Sequence, residues 1–182
     1  MVNIYKLKLT TLQNEILRLL FINVGNSLNA HHISKILNVS QPAISKALPL
    51  LEKNKLINII RDKRTNRLSI NLNKENHEII WLKRADNLKQ IYESGLCQYL
   101  YDILPEATII LFGSYSFGKD TINSDIDIAV IETNYKDLDL KKFEKILERK
   151  IILNFYKNFE KIEKNLKNNI LNGILLKGNI EL

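Results

Sequence analysis

The chain has 182 residues, 45% of them hydrophobic and 26% charged, which suits one ordinary domain or two small ones with real cores. No run approaches the ~20 apolar residues that span a bilayer, MVNIYKLKLTT lacks a signal-peptide core, and the lone Cys97 excludes an internal disulfide, so a soluble cytoplasmic protein is expected. The net charge of +7 lies in the first part, where residues 1–104 hold 15 Lys and Arg against 8 Asp and Glu while residues 105–182 hold 12 against 12, so that part is expected to meet a polyanion.

Thr10 and Gln13 have capping-box spacing ahead of LQNEILRLLFI, in which Leu12, Ile16, Leu19 and Leu20 share a face and predict a first helix. After a turn at Gly25 and Asn26, Asn29 is placed to cap a short second helix, AHHISKIL, with Ile33, Ile36 and Leu37 as its stripe. Its His31 and His32 have no partner ligands at metal spacing, which leaves solvent or a phosphate as their contact. Ser40 as N-cap and Pro42 in the first turn open a third helix reaching Glu52, which Pro49 is expected to kink or shorten. Two short helices on a tight turn have helix-turn-helix proportions. Residues 56–60 and 67–72 then alternate as strands around DKRTN, a hairpin carrying Lys63, Arg64 and Arg67.

Residues 75–104 read as two helices joining a first domain to a second, with Trp81 expected to be covered at the seam. Pro105 ends them. ATIIL, residues 107–111, is a short β-branched strand broken by Gly113 and Ser114, and such a break lets backbone amides and a hydroxyl approach phosphate oxygens. Asp125 and Asp127 alternate with Ile126 and Ile128, which places both carboxylates on one strand face and both isoleucines in the core. Adjacent like charges repel unless a cation lies between them, and an oxygen-only ligand set suggests Mg²⁺. Asp139 is placed to cap the next helix; a strand at 151–155 and a helix at 159–171 complete the pattern.

The segment VSQPAISKALPLLEKNKLI resembles the recognition-helix region of winged-helix transcriptional repressors. In that resemblance Gln41, Ala43, Ile44, Ser45 and Lys46 face the DNA groove, Leu48, Leu50, Leu51 and Leu56 are core, and Lys63, Arg64 and Arg67 form a wing suited to phosphates or the minor groove. Gly113, Ser114, Gly118, Ser124, Asp125 and Asp127 resemble the pattern of nucleotidyltransferases of the DNA polymerase β superfamily, specifically their minimal, antitoxin-like members. Together the resemblances imply an α+β protein of two domains. Residues 1–75 would be a winged helix-turn-helix that binds double-stranded DNA, 76–104 a helical connector, and 105–182 a small α/β nucleotidyltransferase core with a mixed sheet. They imply further that Gly113, Ser114, Gly118, Lys119 and Ser124 bind a nucleoside triphosphate, with ATP favoured, and that Asp125 and Asp127 are catalytic and ligate Mg²⁺, in a two-metal site where a third ligand is found. A partner toxin protein as acceptor completes what the resemblance implies, and a homodimer is a separate expectation that the sequence leaves open.

Two departures keep a second reading open. Active members add a third carboxylate from the following strand, but residues 151–155 contain none, and Asn154 is the only polar candidate. Phe117 stands where many relatives carry a basic residue, a charge that Lys119 could supply. One reading is a transferase that passes a nucleoside monophosphate to an acceptor hydroxyl and autoregulates its own transcription. The other is a DNA-binding regulator whose degenerate transferase-like domain senses nucleotide or dimerises.

Overall fold

Helix α1 (Thr11–Ile22) begins at the expected capping box: the Thr10 hydroxyl accepts from the Gln13 amide at 3.3 Å, and the Gln13 side chain accepts from the Thr10 amide at 2.9 Å. The structure is a computed structural model that describes residues 8–61 and 68–180. It divides into two compact units, Met1–Ile79 and Ile80–Leu182.

In the first unit α2 (Ala30–Ile36) and α3 (Gln41–Lys53) follow α1, each with its side-chain cap, Asn29 and Ser40, in place. Strands β1 (Ile57–Arg61) and β2 (Leu68–Leu72) pair antiparallel, and Leu28 bridges Ile70 to widen the ribbon. Ile16, Ile33, Ile44, Leu51, Leu56 and Ile70 are fully enclosed, so each helix and the ribbon contribute to one core. Within it the Gln13 amide donates to the Ala47 carbonyl at 3.0 Å, tying α1 to α3. Helices in this order followed by a hairpin make a winged helix-turn-helix.

Three expectations need correction here. Pro49 lies within α3 and does not shorten it; Pro49 and Ser45 are both exposed, so the helical bond it removes is on the solvent side, where water can satisfy the Ser45 carbonyl. Ile44, expected to face the groove, is completely buried, and Leu50, expected in the core, is 38% exposed. Helical periodicity explains both, since Ile44 shares the face of Ala47, Leu48 and Leu51.

The second unit is built on a mixed four-stranded sheet in the order β5-β4-β3-β6, with β3 Thr108–Phe112, β4 Ile126–Ile131, β5 Ile151–Tyr156 and β6 Ile174–Lys177. Among the described strands only β4 and β5 run parallel. Helices α4 (His77–Glu93), α5 (Leu96–Ile103) and α7 (Lys141–Leu147) supply one core layer, in which Ile91, Leu96, Leu100, Phe143 and Leu147 pack with Ile109, Leu111, Ile126, Ile128 and Val130. Residues 91–104, expected in a connector, therefore build this core. Cys97 packs against the same layer, and burial pushes its thiol up to about 11. The other face carries Ile110, Phe112, Ala129 and Ile131 under Phe159, Ile162 and Ile170, the last from α8 (Lys164–Leu171). The single helix expected over 159–171 is a 3-10 turn at Phe159–Lys161 and then α8. Among the described residues no helix is long and apolar enough to cross a membrane.

Candidate functional site

Strand β3 is buried along its whole length and ends at Gly113, whose φ of +71° an L side chain rarely adopts; from there a single helical turn, α6, covers Gly113–Ser116. A Cβ on Gly113 would stand 2.6 Å from Oδ2 of Asp127, so the absent side chain leaves the carboxylate open on that side. Phe112 and Asp127 are cross-strand partners, which brings the Gly-Ser break and the acidic strand together across one ladder rung. Asp125 precedes β4 and is exposed, whereas Asp127 is partly covered. Burial, and after it the Asp125 charge, raises the Asp127 carboxyl above its ordinary value. The Tyr156 hydroxyl at the end of β5 is raised by burial and then by the Asp127 charge.

Ser114 is partly covered and Lys119 is exposed, and the Ser114 carbonyl accepts from the Lys119 amide at 2.9 Å. Ser124 has a local role: its hydroxyl accepts from the Thr121 amide at 2.9 Å and closes the loop before Asp125. Gly118, at φ +69°, is pressed against α4, where a Cβ would lie 2.5 Å from the Ile80 carbonyl oxygen.

The anchor of this loop is a feature that sequence reasoning missed. Asp120, 2% exposed, forms an ion pair with Lys83 at 2.7 Å and faces Arg149 at 3.8 Å, while the Asn87 amide donates to Asp120 at 2.8 Å and to the Tyr115 carbonyl at 2.9 Å. Lys83 also donates to the Asp120 backbone carbonyl. The available signal was spacing: Ile79, Lys83, Asn87 and Ile91 recur every fourth residue, and all four are buried, so two polar residues occupy an apolar stripe. Trp81, expected to be covered, is 67% exposed.

The position facing the acidic pair is also not the expected one. Asp127 pairs in register with Ile152, and Asn154 pairs with Ala129. Register partners share a sheet face, so Ile152 is the β5 residue beside Asp127, and Asn154 lies one pleat period further along, about 7 Å. Glu148 ends α7 at φ +53°, and among the described residues no group of three or more His, Cys, Asp or Glu side chains could hold a metal. The pair still fits one divalent ion. Mg²⁺ is commonly held by one or two carboxylates together with the phosphates of its nucleotide, and both the oxygen donors and the space at Gly113 suit that arrangement.

Residues 93–176 match the family model described as nucleotidyltransferase domain. This segment is a nucleotidyltransferase domain. No curated protein matches the chain. Among solved structures, a mutant of MepR from a multidrug resistant S. aureus clinical isolate is 26% identical at a TM-score of 0.37, covering 41% of this chain, which spans 55% of that one. The adhesin competence repressor AdcR from Streptococcus pyogenes is 27% identical over 52% of this chain and 69% of its own, with a TM-score of 0.39. The S. aureus MepR-DNA complex is 25% identical over 52% and 81%, again at 0.39.

In the first unit Gln41, Ser45 and Lys46 are exposed along α3 and Ala43 is partly so. Lys63, Arg64 and Arg67, expected at the wing, lie outside the described residues. By unit, residues 1–79 carry 12 Lys and Arg against 5 Asp and Glu, and residues 80–182 carry 15 against 15.

Proposed function

We propose that the protein is a DNA-binding regulator whose nucleotidyltransferase domain binds a magnesium nucleoside triphosphate, ATP in the first instance, without transferring it. The observation that carries this reading is Ile152 in register with Asp127. A hydrocarbon there cannot ligate a second cation or take the proton of an incoming hydroxyl. Asp125 and Asp127 hold the single cation, whose charge offsets that of the triphosphate. Backbone amides at Gly113 and Ser114 donate to phosphate oxygens, and the exposed Lys119 ammonium approaches the same charge. The Asp120 anchor keeps the loop that carries Lys119 and Ser124 in place. DNA is met by the basic first unit through Gln41, Ala43, Ser45 and Lys46, with Lys63, Arg64 and Arg67 on phosphates.

A second reading has one observation in its favour. Strand β5 is an edge of the sheet, so no further strand borders Ile152, and a partner toxin protein could bring both a carboxylate and the acceptor hydroxyl to that side. The full chain incubated with each α-labelled nucleoside triphosphate, with and without Mg²⁺, separates the readings. Metal-dependent binding without pyrophosphate release or covalent label is the expected result. Pyrophosphate release by the chain alone would overturn the sensor, and release only when a partner protein is added would establish the transferase.

A further inference from the structure

Gln41 is the first residue of α3, and its side-chain amide nitrogen lies 2.6 Å from Nδ1 of His31 on α2, both side chains being exposed. The backbones that carry them are fixed. Asn29 accepts from the His32 amide at 2.8 Å, the Ser34 hydroxyl donates to the His31 carbonyl at 2.8 Å, and Ser40 caps α3. A cleft of about 520 Å³, lined by Asn29, Ala30, His31, Gln41 and Leu68, opens beside the pair.

We propose that His31 is a specificity-determining residue that acts by holding the Gln41 amide in one orientation; this rests on the reading of the first unit as DNA-binding. A free glutamine can exchange its donor and acceptor ends by rotation. When His31 Nδ1 accepts one amide hydrogen, the imidazole carries its proton on Nε2, and Gln41 keeps one N–H and its carbonyl oxygen. That remaining donor and acceptor match N7 and N6 of adenine in the major groove. The orientation is thus chosen before DNA arrives, and a base demanding the reverse order is rejected.

The test selects preferred sites from a random-sequence duplex pool with the full-length chain and its variants. Gln41→Ala should relax the preference for adenine at one position, and His31→Ala should relax the same position by about tenfold. The double variant should be no worse than Gln41→Ala. His31→Asn, whose Oδ1 accepts from nearly the place of Nδ1, should restore the preference, which a merely structural role would not predict. If Gln41→Ala relaxes the position while His31→Ala leaves it unchanged, or if the two losses add, the proposal is overturned and DNA binding stands. If the wild-type chain enriches no sequence, base reading fails and the proposal with it.

Discussion

Asp127 carries opposing demands. Burial and the neighbouring Asp125 hold its carboxyl above the ordinary value, so its ionised form is less favourable in the folded chain than in the unfolded one. The stability linked to its proton is complete below the ordinary carboxylate range and is lost as pH rises through the raised value. At neutral pH the metal-free chain therefore bears a cost that Asp127→Asn removes. That variant should melt higher than wild type at pH 7 without metal, with the gain fading below about pH 4, and should bind nucleotide with Mg²⁺ about tenfold more weakly, the worth of one charge-assisted ligand. Calorimetry and equilibrium titration on the one variant check both, and lower stability with unchanged affinity would end the site assignment. The pairing of Gly113 with this carboxylate shows what was legible at this scale. Both residues stand out by spacing, because a glycine break after a strand and an alternating acidic pair are local patterns. That a Cβ on Gly113 would stand 2.6 Å from the Asp127 carboxylate was not legible, because it depends on the register of β3 against β4.

Register decides matters again among the elements. A strand's alternation tells which residues share a face but not which rung each occupies, so Asn154 drew attention by polarity while Ile152 holds the position across from Asp127. Ile152→Asp should give the domain a third carboxylate and, if the rest of the site is intact, measurable magnesium-dependent pyrophosphate release, whereas Asn154→Asp should not. The opposite outcome would refute the register argument. The anchor around Asp120 is a second case in which long-range pairing hid from local reading. Lys83 and Asn87 come from α4, Asp120 from the loop after Gly118, and Arg149 from the approach to β5. Removing the acidic member deprives two buried cations of a common partner, so Asp120→Ala should cost about 3–5 kcal/mol in urea denaturation. Asp120→Asn, which keeps the hydrogen-bonding shape, should cost less; equal losses would mean that the charge is incidental. The helices were easier to anticipate, since Thr10, Asn29 and Ser40 each announce a start with a side chain that then makes the expected bond.

At the scale of the molecule the charge divides with the structure: the excess of basic residues belongs to the first unit, and the second is balanced. Duplex binding by the full chain should therefore weaken steeply with salt, and replacing Arg64 and Arg67 by alanine should lower the log-log slope by about 0.9 for each phosphate that is no longer neutralised. An unchanged slope would remove the wing from the interface. Finally, β6 bears on the order in which the chain acquires its shape. Strand β3 pairs on one side with β4, nearby in sequence, but on the other with β6, where Ile109 meets Lys177. During synthesis the winged helix, whose most distant strand bridge joins Leu28 to Ile70, can close long before the sheet of the second unit receives its last strand. Until then the central strand offers a bare row of amides and carbonyls to any passing chain, so a nascent or truncated product ending before Ile174 is the form most exposed to edge-to-edge aggregation.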